Sequence, residues 1–244
     1  FWKKDVLLEL LQKNENAWQF ERVGNLRSHQ YEGFYSTRAN VIPFVNGIVK
    51  GVWNPLAKKK IRLGLIGCGG NMQRAHVPRL LEDGRVELVG LVDTAEEPAR
   101  LLMEKWGSEI PLYADHKALL KNEKLDGVII SSPHSMHYEQ ARASLKAGLH
   151  VLIEKPLTTA SRHAKSLIET ARKADRLLVV SYQRNFYPQH AYVRELIAKG
   201  ALGEIRGVVA YVTQRWAGRG WRGEPTLSGG GFFMDTGSHL VASA

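Results

Sequence analysis

The sequence predicts an α/β protein centred on a doubly wound parallel sheet. From Ile61 onward strand-like apolar runs alternate with helix-like stretches, a glycine cluster follows the first run, and an aspartate closes the second. Strands joined through single helices must run parallel, and helices then cover both faces of the sheet.

The strand-like runs lie at 61–66, 86–92, 127–131, 150–153 and 177–181. Helical periodicity falls between them at 72–82, 95–106, 135–147 and 159–173. After "SYQRNFYP" a helix is expected at about 189–199. A long strand in "GALGEIRGVVAYVTQRW", a glycine-rich loop at 228–231 and the start of a last helix follow. Three parts result: an extension at 1–57, a dinucleotide-binding domain at 58–181, and the beginning of a second domain at 182–244.

The extension holds a short amphipathic stretch, "DVLLELLQ", an irregular aromatic segment and "NVIPFVNGIVKGVWNP", with three of the six tryptophans. It resembles the C-terminal end of bacterial polysaccharide-biosynthesis proteins, which implies the tail of a fused upstream domain. "NPLAKKK" at 54–60 supplies a linker of proline and lysines. Phe1 in place of Met, and an apolar pattern still running in "GSHLVASA", suggest a piece of a longer polypeptide.

Composition narrows the function classes. Of 244 residues, 44% are apolar and 24% charged, as in ordinary globular proteins, and no apolar run is long enough to span a bilayer. The one cysteine, Cys68, excludes an internal disulfide, which with the absence of a signal-like segment points to the cytoplasm. The net charge of +10 is uneven: residues 1–60 carry ten Lys/Arg against five Asp/Glu, and the remainder twenty-four against nineteen. No basic stripe interleaved with stacking aromatics exists beyond residue 60, so nucleic acid is not an expected partner, whereas small anions are compatible.

In "GLIGCGGNM", Gly67 and Gly69 stand where a buried strand must turn sharply into a helix. Glycine permits that turn and lets a pyrophosphate approach the backbone, while the unpaired amides of the helix N-terminus favour phosphate. The third fingerprint position is Met72, with Gly70 two places earlier, so the helix must sit farther from the strand or begin differently. Asp93 ends "VELVGLVD" twenty-four positions after Gly69, where a carboxylate suits the ribose hydroxyls of an adenosine. That carboxylate opposes a 2′-phosphate, so NAD is favoured, with NADP possible if Arg100 folds back. Gly67, Gly69, Gly70, Asn71, Met72 and Asp93 are therefore candidate cofactor-binding residues.

Later strand ends bring "SSPHSMHYEQ" and "EKPL" to the same crevice, adding Ser132, Pro133, His134, His137, Glu154 and Lys155 to that set. A His-x-x-His turn without carboxylate or cysteine partners is short of metal ligands. Lys155 can hydrogen-bond a substrate hydroxyl, stabilise an alkoxide, or give up its own proton. Asp235 and His239, four positions apart in "GGGFFMDTGSH", would share one helix face, although such a pair alone is more often structural. "RWAGRGWRGEPTLSG" places Arg215, Trp216, Trp221 and Arg222 near the crevice, for a hydroxylated or anionic substrate or for loop packing.

"GCGGN…H", "SPHSMHYE", "EKP", "YQRNFYP…GALGEI" and "SGGGFFMDTGSH", in that order across residues 61 to 244, resemble the Gfo/Idh/MocA family of NAD(P)-dependent oxidoreductases. The resemblance implies a Rossmann-type domain followed by an α+β domain with a large open sheet. It implies Lys155, Asp235 and His239 as the catalytic set, with Lys155 and His239 able to exchange the duties of proton acceptor and polariser. It further implies hydride transfer at a secondary alcohol of a sugar, cyclitol or polyol, and a homo-oligomer. The alternative is a cofactor-binding sensor or regulatory subunit without turnover.

Overall fold

A computed structural model describes residues 48–49, 52–53, 60–213 and 218–243. The chain divides into two units, Phe1–Ala57 and Lys58–Ala244. In the first, β1 (Ile48–Val49) pairs antiparallel with β2 (Val52–Trp53), and the expected helix near residues 5–12 lies outside the described residues.

Among its described residues the second unit carries six strands: β3 (Ile61–Ile66), β4 (Val86–Val92), β5 (Leu112–Tyr113), β6 (Gly127–Ile130), β7 (His150–Ile153) and β8 (Leu178–Val180). They pair in the order β5-β4-β3-β6-β7-β8, and every neighbour is parallel. The apolar runs of the sequence are continuous rather than alternating because both faces of these strands are buried. Leu65, Leu91 and Ile129 enter one core cluster with Val77, Ala99 and Leu102; Ile66, Val92 and Ile130 enter the other with Ala141, Leu145 and Leu167. Consecutive residues thus serve opposite faces, as the two-residue period of a strand requires. Each fully buried Leu or Ile contributes roughly 1.5–3 kcal/mol.

The helices Val77–Glu82 and Glu96–Trp106 cover one face, and His137–Lys146 and Ser161–Ala174 the other. β5 and the helix His116–Asn122 were not expected, being too short for periodicity to reveal them. That helix is capped by Asp115, whose carboxylate accepts from the Ala118 amide at 2.8 Å. It drives Leu119 onto the paired glycines Gly64 and Gly90, where an added Cβ would lie 2.8 and 2.3 Å from the leucine methyls.

Beyond β8 the expected helix forms at Pro188–Ala198. The long strand expected in "GALGEIRGVVAYVTQRW", 200–216, is corrected: residues 200–213 hold turns and irregular chain but no strand, and 214–217 lie outside the described residues. The alternating apolar pattern is there, yet Val208, Val209 and Tyr211 are exposed, and no described strand runs alongside to complete the backbone hydrogen bonds. Among the described residues no helix is long and apolar enough to cross a membrane.

Candidate active site

Parallel strands bring their carboxyl ends to one edge, and the chain crosses from the β4–β5 side to the β6–β8 side on either flank of β3. The crevice at this switch point is where an open α/β sheet binds ligands. Gly67 leaves β3 with φ +87°, and an added Cβ would stand 2.7 Å from backbone atoms of Ser131 and Ser132 after β6. Gly69 is the opposite case, since a Cβ there would meet nothing within 4 Å. Open space therefore lies over Gly69, while Gly67 is required by the packing of the two strand ends. Gly70 faces Arg74, whose Nη1 would lie 2.8 Å from an added Cβ. Arg74 is a cation beside the loop that the sequence reading overlooked.

Asp93 braces this loop: one carboxylate oxygen accepts from the Cys68 amide at 2.8 Å and the other from the Ala95 amide at 3.0 Å. Each oxygen keeps a second lone pair for a ribose hydroxyl. Arg100 is tied to Glu97 at 2.9 Å and also to Glu104, on its own helix, rather than folded back toward Asp93. Cys68 is inert as a nucleophile: burial, then the charge of Asp93, pushes its thiol up to about 12. Met72 is fully buried and opens a π-helical turn, Met72–His76, so the helix does begin differently where the fingerprint departs. These features fit a dinucleotide.

Glu154, at the end of β7, joins three segments. It meets His76 Nε2 at 2.8 Å and accepts from Asn71 and Ser181. Burial alone would raise its pKa; the hydrogen bond and charge of His76, aided by Ser181 and Asn71, hold it down at about 2. A carboxylate whose folded pKa lies below the ordinary 4.5 contributes stability that is complete above that value and is lost as pH falls toward 2. Glu154→Gln is accordingly expected to cost on the order of 2 kcal/mol at pH 7. Thermal melts should show the gap from wild type narrowing below pH 4.5. A pH-independent gap would remove the ionised carboxylate of Glu154 from the account. The His76 partnership is the second contact overlooked in the sequence.

His134 and His137 are both buried. His134 donates from Nδ1 to the Ser228 carbonyl at 2.9 Å, and its ring meets Trp221 edge-on at 4.6 Å. Burial lowers its pKa to about 4 despite that hydrogen bond, so it is neutral at pH 7. His137 faces the carbonyls of Pro156 at 2.8 Å and Ser132 at 3.1 Å, and its nitrogens are thereby turned from the crevice to the two loops that border it. That placement departs from the expectation that His137 offers a polar group to a ligand. Ser132 is buried too, with its hydroxyl on Gln140 at 2.5 Å, and Pro133 stands half-buried at the start of the turn.

Lys155 Nζ donates to both Oδ1 and the backbone oxygen of Asp235, each at 2.6 Å. Asp235 sits in a second π-helical turn, Phe233–Gly237, and its Oδ2 accepts from Arg222 Nε at 3.1 Å. Burial would raise the aspartate's pKa, but the hydrogen bond and charge of Lys155, then the charge of Arg222, leave it below the usual carboxylate range. His239 lies on the following helix, Ser238–Ser243, with its ring 6.0 Å from that of Tyr182. Its pKa is lowered by burial first and by the charges of Lys155 and Arg184 next. Lys155 and Asp235 are thus in direct contact, with His239 within their field. Trp221 and Arg222 line this wall, and Arg215 and Trp216 lie outside the described residues.

Comparison with known proteins supplies independent findings. A family model described as an oxidoreductase family with an NAD-binding Rossmann fold matches residues 61–182, and one described as the GFO/IDH/MocA C-terminal domain matches 190–244. D-glucoside 3-dehydrogenase of Escherichia coli (strain K12) is 31% identical over 191 residues, covering 78% of this chain and 54% of that protein. dTDP-3,4-didehydro-2,6-dideoxy-alpha-D-glucose 3-reductase of Actinomadura kijaniata is 32% identical, covering 78% and 57%. The WlbA dehydrogenase of Bordetella pertussis, solved with NADH and UDP-GlcNAcA, superposes with a TM-score of 0.66 at 27% identity over 75% of this chain and 54% of that one. The chain spans about half the length of the curated relatives it matches.

Proposed function

The chain belongs to the Gfo/Idh/MocA family of oxidoreductases, and from that premise we propose that it interconverts a secondary alcohol and a ketone on a sugar, cyclitol or related derivative with NAD(P). The observation that carries this reading is the buried Lys155–Asp235 pair at the mouth of the crevice whose glycine loop fits a dinucleotide. With the pyrophosphate of a dinucleotide held over Gly67–Asn71, its nicotinamide would supply the hydride acceptor or donor.

The residues of the chain supply the rest. An ammonium has three donors, and Lys155 commits two to Asp235, which keeps one for the substrate oxygen. Asp235 holds the amine in place by both its carboxylate and its backbone oxygen. His239, with its pKa below the ordinary 6.5, is neutral at pH 7 and suited to take the hydroxyl proton. Lys155 then stabilises the oxygen as charge develops on it. His134, neutral and bonded to Ser228, is buried beside the aspartate, with Nε2 3.8 Å from Oδ1.

Asp93, with Arg100 held elsewhere, supports NAD over NADP. We further place the protein in the cytoplasm, where the single thiol of Cys68 stays reduced, and expect a homo-oligomer. The test of cofactor choice is a titration with NADH and with NADPH, followed by tryptophan emission. NADH is expected to bind more tightly, and Asp93→Ala to weaken it about tenfold by removing the ribose acceptor and the brace on Cys68. Preference for NADPH, or an unchanged affinity in the variant, would end the assignment of Asp93.

A further inference from the structure

Arg222 is anchored in a way that leaves its outer edge unused. Its Nε donates to Asp235 Oδ2 at 3.1 Å, and its guanidinium carbon lies 4.3 Å from the centre of the Trp221 ring. Trp221 is itself set against His134, so the stack rests on a buried residue. A guanidinium carries five N–H donors in a rigid plane. One is spent on Asp235, and among the described residues no acceptor is paired with the four on Nη1 and Nη2. The side chain is 40% exposed, so that fork is open to a ligand. Glu224, two positions on, is exposed and forms no ion pair with it among the described residues.

Charge gives the same indication. Around Asp235 two cations, Lys155 and Arg222, face one carboxylate, and the neighbouring His134 is neutral. With Glu154 engaged by His76, one positive charge is left over on the Asp235 side of the lysine, at a half-buried position. A planar fork fixed at its inner nitrogen and stacked on an indole is matched to two oxygens of a carboxylate or phosphate, and little side-chain freedom remains to be lost on binding.

We propose that the outer fork of Arg222 binds an oxyanion carried by the substrate, so that the substrate is an acidic sugar derivative, a uronate or a phosphate ester, rather than a neutral polyol. This rests on the oxidoreductase reading of the same site. A neutral sugar would leave the surplus charge uncompensated, whereas an anionic one neutralises it and is held at a second point away from the reacting carbon. Orientation at two points is what an alcohol on a ring of similar hydroxyls needs to be selected.

The experiment is calorimetric binding of D-glucuronate, D-glucose 1-phosphate and D-glucose to the NADH-saturated protein. Wild type, Arg222→Ala and Arg222→Lys are compared, with NADH affinity measured on each preparation. One of the anions is expected to bind about tenfold or more tightly than glucose to wild type. The preference should vanish in the alanine variant and be intermediate in the lysine variant, which keeps the charge and loses the fork. Which anion shows it separates carboxylate from phosphate. If the alanine variant fails to melt cooperatively, the lysine variant decides alone, and a full preference there overturns the fork. Equal binding of the three compounds, no binding of any, or a preference that survives in the alanine variant overturns the inference. NADH binding that persists in those cases leaves the oxidoreductase reading standing, and a wild type that does not bind NADH ends that reading as well.

Discussion

Lys155→Met is expected to lower kcat on the order of 10³-fold while NADH affinity stays within about twofold. Methionine keeps the length and most of the apolar stem of the side chain and removes only the ammonium. The two 2.6 Å hydrogen bonds to Asp235 go with it, and so does the donor available to the substrate oxygen. The carboxylate keeps Arg222 as its cation, so the wall of the crevice retains one of its two anchors. Steady-state turnover and NADH titration of the same preparation separate the two effects. The alternative of a silent cofactor sensor makes the opposite claim, that nothing measurable changes in turnover because there is none to lose. Substantial turnover surviving in the variant would sink the assignment of Lys155 to the reacting oxygen.

Gly67→Ala is expected to cost roughly 2–4 kcal/mol of stability and to reduce NADH binding below detection. The methyl group would meet three backbone atoms at 2.7 Å, which cannot rotate away as a side chain could, and φ of +87° strains any residue with a Cβ. Gly69→Ala is the matched control. Its Cβ would enter open space, so stability should stay within about 0.5 kcal/mol. NADH affinity should nevertheless fall, because that space is where the pyrophosphate is proposed to lie. Thermal melts and NADH titrations on the two variants make a four-way comparison. Equal loss of stability in both, or unimpaired binding in the Gly69 variant, would contradict the division of labour between the two glycines.

The sheet was legible in the sequence because burial on both faces writes long apolar runs, as in β3, β4 and β6, and because single helices between them force parallel pairing. The segment at 204–213 shows the limit of the same signal. Its pattern suits a strand, but a strand exists only through a neighbour, which local sequence does not report. β5 escaped for a related reason, since two residues at an edge carry no period.

At the site, the glycines and Asp93 could be placed from spacing, because one turn and one strand end position them. The pairing of Lys155 with Asp235 could not, and the same holds for Arg222 with Asp235 and for His76 with Glu154. The family resemblance grouped Asp235 with Lys155 and His239, and the spacing of Asp235 from His239 suggested one shared helix face. The structure carries it on a π-helical turn and gives its oxygens to Lys155 and Arg222. Which cations reach a carboxylate is decided by the tertiary fold, and sequence separation hides it.

Those separations also bear on how the molecule assembles. His76 meets Glu154 across 78 residues, Lys155 meets Asp235 across 80, and His134 meets Ser228 across 94. Closing loops of that length carries an entropic cost like that of pairing β3 with β6, where Leu63 lies beside Gly127, and each contact also needs the strand ends that this pairing brings together. The sheet is a prerequisite for the crevice rather than its product. Conversely, a fluctuation that frees the 220–239 segment can dissolve the lysine–aspartate pair while both hydrophobic clusters stay intact, so the geometry of the crevice wall is lost at lower energy than the fold itself.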